Sequence, residues 1–300
     1  MASIQFINRR LEGLVRRCRL DQFDDVMHRH DGQKIRTRVG RAVTQVEVLH
    51  DGQPVRLFIK RDWRTQLKDR IQCWLDGLGW GTKARREWIA LRAMAAAGIG
   101  CPEPLVFIER GGLRPRGYLI LLEMPGAVEL TRYLATRGKN LSARNRRQLA
   151  AHLGHEVARL HNAGIDHPDL YSKHIFLTDS ESDPLQSPAR NLQPPTLSPK
   201  SPSPLPHVSF IDMQRSSAGD SVSIAQRVRD LAALNSTLPP ELANRVDRLV
   251  FVHSYLSQTP LSLDLGQFVA AIRRRSSKLS RRTKIRTMQR MGRELALTLS

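Results

Sequence analysis

His167-Pro168-Asp169-Leu170-Tyr171-Ser172-Lys173-His174 is the stretch of sequence on which the prediction of the fold depends. It follows a segment of helix-period apolar residues and precedes the apolar run Ile175-Phe176-Leu177, which predicts a polar loop between a helix and a strand. His167, Asp169 and His174 are all residue types that exchange protons or bind metals. Because such a loop is usually only a solvated connection, its interpretation depends on the residues found elsewhere in the chain.

Length and composition bound the class of protein. The 300 residues, 40% of them apolar, suffice for one large domain or two lobes with a real core. No apolar run is long enough to predict a membrane-spanning helix, and the first residues lack the pattern of a signal peptide. The cysteines Cys18, Cys73 and Cys101 predict reduced thiols in a cytosolic protein, and neither a disulfide framework nor a zinc site.

The charge of the chain is strongly positive. Lys and Arg number 48 against 28 Asp and Glu, which gives a formal net charge of +20. This favours polyanionic partners such as anionic lipid or a phosphorylated glycolipid, although a general solubility effect is the alternative. No helix-turn-helix, zinc-finger or RNA-recognition pattern is present in the sequence, so no specific nucleic acid is expected as a partner.

Apolar periodicity predicts strands in the first part of the chain and helices in the second. Strands are predicted within 34–60, with a hairpin turn at Asp51-Gly52, and at 105–108, 118–122 and 208–211. Helices are predicted at 4–20, 64–79, 83–97, 128–137, 143–163, 222–236, 240–257 and 264–275.

This order of elements predicts an α+β fold with two lobes. We expect a basic helical segment over residues 1–29, an N-terminal lobe of antiparallel sheet plus helix over 30–124, and a mainly helical C-terminal lobe over 125–300. Proline recurs with serine and asparagine over 179–206, which predicts a disordered insert. The basic tail at 273–300 is interpreted either as a patch for the membrane surface or as a solvated helix face.

Four charged residues follow one another in an order that suits phosphoryl transfer. Lys60 ends a predicted strand, Glu87 lies on the next strong helix, Asp169 lies in the loop, and Asp212 follows the strand at 208–211. Transfer of a nucleotide γ-phosphoryl group requires positioning and charge neutralisation. Lys60, oriented by Glu87, would hold phosphates. Asp212 would bind Mg²⁺, and Asp169 would take the proton of the attacking hydroxyl.

The motifs around these residues resemble those of the lipopolysaccharide kinase family, the Kdo and heptose kinases within the protein-kinase-like superfamily. The resemblance spans roughly residues 30–260 and implies a bilobal protein-kinase-like fold. The motifs are Leu57-Phe58-Ile59-Lys60-Arg61, Lys83-Ala84-Arg85-Arg86-Glu87-Trp88, the loop at 167–174, Phe210-Ile211-Asp212-Met213-Gln214-Arg215 and Arg229-Asp230-Leu231-Ala232-Ala233-Leu234.

The resemblance implies an ATP- and Mg²⁺-dependent enzyme that phosphorylates a sugar hydroxyl of lipopolysaccharide core or a similar glycolipid. It implies a cytoplasmic location, with peripheral attachment to the inner face of the inner membrane. Glu123 and Met124 would contact adenine at the hinge, Gly40 would lie in the phosphate-covering turn, and Asp230 would bond the backbone of the catalytic loop.

The two histidines of the loop have two interpretations each. His174 stands where protein kinases have asparagine, so it is a candidate ligand for the metal or for phosphate, with a structural hydrogen bond as the alternative. His167 is expected to be a structural anchor of the loop.

Two departures from kinase motifs leave other functions open. The phosphate-covering turn contains only Gly40, although Arg38 and Arg41 would supply charge there, and Asp-Met-Gln replaces Asp-Phe-Gly at Asp212. The alternatives are a kinase-like enzyme acting on protein or another small molecule, and a basic pseudokinase that only binds.

Overall fold

The computed structural model describes residues 3–29, 31–75, 77, 79–179, 205–259 and 264–298, and at positions 38, 68, 75 and 282–298 it describes the backbone alone. The described chain divides into two compact units. The first contains the chain up to Ala127 together with Ser209–Ala218, and the second contains the described residues of 128–180, 199–208 and 219–300. The predicted insert at 179–206 lies outside the described residues except at its two ends.

An antiparallel sheet of six strands forms the centre of the first unit. The strands are β1 (Ser3–Ile7), β2 (Gln33–Arg38), β3 (Arg41–His50), β4 (Gln53–Asp62), β5 (Pro104–Arg110) and β6 (Arg116–Leu122), in the spatial order β1-β5-β6-β4-β3-β2. The hairpin predicted between β3 and β4 is confirmed. Asp51 and Gly52 both have positive φ (50° and 77°), which matches the twist of the two strands.

Helices and alternating strand residues build the core of this unit. The helices are α1 (Glu12–Arg17), α2 (Phe23–His28), α3 (Leu67–Leu75) and α4 (Lys83–Ala96). Buried residues of α1 and α2 pack against the inward residues of β3 and β4, which are Val46, Val48, Leu57 and Ile59. The prediction of a helix at 83–97 is confirmed by α4, which begins at the N-cap Thr82, whose hydroxyl accepts from the Arg85 N–H.

The predicted helix over residues 4–20 is wrong at its start. Residues Ser3–Ile7 form the edge strand β1, which pairs along its whole length with β5, from Ser3 opposite Arg110 to Ile7 opposite Val106. Backbone hydrogen bonds to a distant strand decide the conformation here, and the α-helix begins only at Glu12.

The second unit is mainly helical. Its elements are β7 (Val128–Glu129), α5 (Leu130–Thr136), α6 (Ala143–Asn162), β8 (Ile175–Thr178), β9 (His207–Phe210), α7 (Ile224–Thr237), α8 (Arg245–Ser257) and α9 (Leu265–Thr298). Strands β7, β8 and the start of β9 form a small sheet. Helix α6 packs closely on α8, because Gly154 has no side chain on the side that faces the Phe251 carbonyl. A Cβ atom at Gly154 would lie only 2.3 Å from that carbonyl oxygen.

The C-terminal helix differs from its prediction. A helix at 264–275 followed by a basic tail was expected, but α9 is continuous from Leu265 to Thr298. Its first part packs on α7 through buried Phe268 and Ile272. No helix in the described parts of the chain, α9 included, has both the length and the apolar composition that crossing a bilayer requires.

Candidate active site

A buried ion pair joins the sheet of the first unit to helix α4. Lys60 lies on β4 opposite Val43 and Leu119, and the strand continues two residues beyond it to Asp62. Its Nζ donates to Glu87 Oε1 on α4, and the two side chains are only 12% and 1% exposed. Removing two charges from water costs more than such a pair usually returns, so this pair indicates a function beyond stability.

Arg41 adds a second cation beside Glu87. Its Nη2 lies 3.5 Å from Glu87 Oε2, and its Nε lies 3.3 Å from Asp62 Oδ1. Asp62 Oδ2 in turn accepts the N–H of Ala84 in the first turn of α4 (2.8 Å). Burial raises the pKa of Asp62, and the neighbouring Arg41 acts in the opposite direction. Two cations thus converge on the one carboxylate of Glu87.

The turn between β2 and β3 is fixed by its single glycine. Gly40 has φ +78°, and its carbonyl accepts the N–H groups of Trp63 (2.9 Å) and Arg64 (3.1 Å). A Cβ atom at this position would meet the Arg64 carbonyl oxygen at 2.7 Å, so only glycine fits. The turn that carries Arg41 is therefore tied to the end of β4, close to Lys60 in sequence.

Asp212 stands in an unusual backbone conformation two residues after the end of β9. The end of that strand is attached to the loop after α4, because Phe210 N–H donates to the Gly100 carbonyl (2.9 Å). Asp212 has φ +62°, the left-handed region that costs a residue with a side chain roughly 1–2 kcal/mol. The Gln214 amide donates to Asp212 Oδ1. Strain of this kind is often retained at functional sites.

Helix α4 also holds the loop that follows Asp212. Arg86, 7% exposed, donates from Nη2 to the carbonyl of Arg215 (3.1 Å). Adjacent residues of α4 thus serve two roles: Glu87 holds Lys60, and Arg86 fixes the Asp212 loop. Sequence reasoning did not assign this role to Arg86, because its partner lies 129 positions away.

In the second unit, Asp230 organises the loop at 167–174. Its Oδ2 accepts the backbone N–H of His167 (2.6 Å), as the resemblance implied, and both residues are fully buried. Arg229 donates to Asp230 Oδ1 (2.7 Å) and to Asp166 Oδ2 (2.6 Å). Burial acts to raise the pKa of Asp230, but hydrogen bonds from His161 and Arg229 outweigh it and hold this pKa below its usual value.

His174 makes a hydrogen bond inside the same loop. Its Nδ1 lies 2.7 Å from the carbonyl oxygen of Asp169. Because a carbonyl only accepts, this ring nitrogen carries the proton and Nε2 is the acceptor of the ring. The Asp169 carbonyl also accepts the Tyr171 N–H (2.6 Å). The backbone that carries the Asp169 carboxylate is therefore fixed from two directions.

His161, a buried histidine on α6, supports Asp230. This contact was not predicted from the sequence. His161 Nε2 lies 3.4 Å from Asp230 Oδ2, and His161 Nδ1 lies 2.8 Å from the Tyr255 hydroxyl. That hydroxyl accepts from Arg227 (2.9 Å), so its own proton is directed to His161 Nδ1. Burial lowers the pKa of His161 despite the nearby Asp230, and the imidazole is neutral in the folded protein.

Stability is expected to fall as the pH drops below about 6.5, the usual pKa of histidine in an unfolded chain. Since the folded state keeps His161 neutral, the unfolded state binds more protons, and the loss continues until the lower folded pKa is reached. Urea unfolding of His161→Gln should show a smaller dependence of the unfolding free energy on pH in this window. The same change at exposed His253 is the control, and equal slopes in the two variants would contradict the assignment.

The remaining predicted residues follow β6. The backbone N–H of Glu123 donates to the Arg56 carbonyl (3.0 Å), and the Ala127 N–H donates to the Met124 carbonyl (3.2 Å). Glu123 and Met124 thus begin the connection between the last strand of the large sheet and β7. Their contact with adenine stays a prediction.

The predicted site residues belong to different units. The structure brings Lys60 and Glu87 together in the first unit, where Asp212 also lies. In the second unit it brings Asp230 to His167. Convergence of the two aspartates on one metal ion stays a prediction. No group of three or more His, Cys, Asp or Glu side chains among the described residues forms a metal site by itself.

Comparisons with known proteins identify the family of the chain. The model of the lipopolysaccharide kinase (Kdo/WaaP) family matches residues 26–188. The chain is 26% identical over 256 residues to the lipopolysaccharide core heptose(I) kinase WaaP of Pseudomonas aeruginosa, covering 84% of this chain and 87% of that one. It is 29% identical over 123 residues to the kinase of the same name from Escherichia coli, covering 40% of this chain and 46% of that one.

A solved structure of WaaP in complex with acyl carrier protein has the same fold. The TM-score is 0.65 at 23% sequence identity, and the match covers 92% of this chain and 99% of the WaaP chain. This likeness confirms the predicted protein-kinase-like α+β fold.

Proposed function

Because the chain belongs to the lipopolysaccharide kinase (Kdo/WaaP) family, we propose that it transfers the γ-phosphoryl group of ATP to a sugar hydroxyl of lipopolysaccharide core. The observation that carries the proposal is the buried Lys60–Glu87 pair. An amine oriented in this way suits the α- and β-phosphates of a nucleotide.

Asp169 is the residue proposed to act on the acceptor. Its carboxylate would orient the sugar hydroxyl and take its proton as the hydroxyl oxygen bonds to the γ-phosphorus and ADP leaves. The bonds of the loop backbone to His174 and of His167 to Asp230 support this role, because a general base depends first on its position. In the proposal, His167 and Asp230 are positioning residues.

Asp212 is the residue proposed to hold Mg²⁺ with the nucleotide. Bound there, Mg²⁺ would neutralise phosphate charge, and it would take its other oxygen ligands from phosphates and water. A carboxylate held in a strained backbone fits this role. His174 fits it less well, because Mg²⁺ prefers oxygen and His174 Nδ1 already donates to the Asp169 carbonyl, so we assign His174 to ordering the loop.

The remaining roles follow the same order. Glu123 and Met124 would contact the adenine, and Gly40 would hold the phosphate-covering turn in place.

The substrate is lipid-linked, so the proposed location is cytoplasmic with peripheral attachment to the inner face of the inner membrane. A kinase that uses protein or a small molecule would label those acceptors instead.

The function is tested by supplying purified protein with ATP, Mg²⁺ and lipopolysaccharide core from cells that lack this chain. The expected result is a core heavier by one phosphate group in the mass spectrum, with a matching release of ADP. Nucleotide binding without any phosphorylated product would favour a pseudokinase, and labelled protein without labelled glycolipid would overturn the proposed substrate.

Arg41 is expected to replace part of the missing glycine-rich loop. Hydrogen bonds to charged groups contribute about 1.5–3 kcal/mol, so Arg41→Ala should weaken ATP binding about 10-fold or more, while AMP binding changes less. Isothermal titration measures both affinities. Arg36→Ala, an exposed arginine of the same hairpin, is the control. Equal losses for ATP and AMP would show that Arg41 only supports Glu87 and Asp62.

A further inference from the structure

The first unit has an exposed apolar surface that contains none of the residues proposed for phosphoryl transfer. We propose that this surface docks the protein on an anionic lipid bilayer. The surface, named here the α3 face, consists of Leu67, Ile71 and Trp74 on α3 with Trp80 and Leu113 beside them. The inference rests on the proposed function in one respect, namely that a lipid-linked acceptor has to be reached at a membrane.

Three apolar residues of helix α3 face outward. Leu67, Ile71 and Trp74 are 55%, 42% and 64% exposed, whereas Cys73 is fully buried. At about 100° per residue the three outward positions fall within roughly 60° of one another around the helix, on the side away from Cys73. A surface helix that packs only on its own protein has the opposite arrangement.

The α3 face extends onto the neighbouring turn. Leu113, 88% exposed, lies in the turn between β5 and β6. Its carbonyl accepts from Trp80 Nε1 (3.5 Å) and from Arg70 Nη1, and the Arg70 guanidinium lies 4.9 Å from the centre of the Trp80 ring. These contacts tie Trp80 and the turn that carries Leu113 to Arg70 of α3, so the turn is held beside the helix before any partner binds.

The charges around the α3 face match an anionic bilayer. Exposed Arg64, Arg114 and Arg116 lie next to its residues in sequence, and the acidic residue of α3, Asp69, is paired with Lys83 at 3.0 Å. Segments that lie in the membrane interface have this composition: tryptophan and leucine at the level of the lipid headgroups, with arginine around them. The attraction of each basic side chain near such a surface is about 1 kcal/mol.

Lipid explains this combination better than nucleic acid does. A nucleic-acid surface needs the arginines but has no use for exposed leucine and isoleucine on the same helix. A bilayer uses both, because the apolar side chains leave water while the arginines meet lipid phosphates.

The test is binding of the full chain to vesicles, with phosphatidylcholine alone and with added phosphatidylglycerol. The protein should sediment with the anionic vesicles, and Leu67→Asp should bind about 10-fold more weakly, which equals about 1.4 kcal/mol. Leu49→Asp is the matched control, because Leu49 is 66% exposed on β3, away from α3 in sequence. Tryptophan emission should shift to shorter wavelength on anionic vesicles, and less so in Trp74→Phe.

Several results would overturn the proposal. Equal loss in Leu67→Asp and Leu49→Asp, or binding unchanged in both, would show that the α3 face does not meet lipid. A change of oligomeric state in Leu67→Asp would assign the face to a second copy of the chain. Stronger vesicle binding after removal of residues 180–204 would show that this segment covers the face, and competition by duplex RNA with no emission shift would assign it to nucleic acid.

The vesicle test is independent of the proposed function, because the vesicles contain neither nucleotide nor sugar acceptor. A second measurement links the two. If both hold, Leu67→Asp should phosphorylate delipidated core at the normal rate but act slowly on core embedded in vesicles.

Discussion

Asp169→Asn is expected to lower the rate of phosphoryl transfer by about 10²–10⁴-fold, the range of general acid–base contributions. The substitution keeps the size of the side chain and removes the carboxylate that would take the proton of the sugar hydroxyl. The loop should keep its shape, because its bonds to His174 and Tyr171 use the Asp169 carbonyl and not its side chain. Single-turnover transfer from labelled ATP measures the effect.

The matched control is Asp220→Asn, at an exposed aspartate of the same unit. Its transfer rate and melting temperature should equal those of the native chain. ATP affinity in Asp169→Asn should also be close to native, because the proposed role concerns the acceptor. A native transfer rate in Asp169→Asn would show that Asp169 is not the base. A large loss of both stability and ATP binding would show that its role is structural.

Asp212→Asn is expected to lower Mg²⁺-dependent transfer by about 10²–10³-fold, as for loss of one electrostatic contact in a preorganised site. The amide keeps the shape but has lost the negative charge that Mg²⁺ prefers. The thermal shift produced by ATP with Mg²⁺ should shrink, and excess Mg²⁺ should restore part of it. Asp51→Asn is the control, since Asp51 stands in the β3–β4 turn, where asparagine is equally suited. Undiminished transfer at limiting Mg²⁺ would contradict the metal-binding role.

The sequence predicted those parts of the fold whose patterns are local. The β3–β4 hairpin is encoded by alternating residues on each side of Asp51-Gly52, and α4 by its apolar period between Thr82 and Gly98. Strand β1 was missed because its partner β5 is about a hundred positions away, and nothing near residues 3–7 indicates that pairing. Helix α9 was predicted too short because its basic residues mask the apolar period.

The candidate site shows the same limit. The order of Lys60, Glu87, Asp169 and Asp212 was visible because each residue lies on a recognisable element or follows one. Two groups that support this site, Arg86 and His161, were not visible. The bonds from Arg86 to the Arg215 carbonyl and from the Tyr255 hydroxyl to His161 Nδ1 join residues far apart in sequence. A buried arginine or histidine within an apolar helix face is the one local signal of such bonds, and its partner cannot be identified from the pattern alone.

The left-handed backbone at Asp212 predicts which substitutions would accumulate at this position if the activity of the enzyme were no longer needed. Glycine and asparagine adopt φ +62° more readily than aspartate, so either replacement would favour folding. Under the proposed role of Asp212 in binding Mg²⁺, selection for catalysis would keep an aspartate there. In a duplicated copy released from that selection, drift to glycine or asparagine at this position would be an early mark of lost transferase activity, while the surrounding fold persisted.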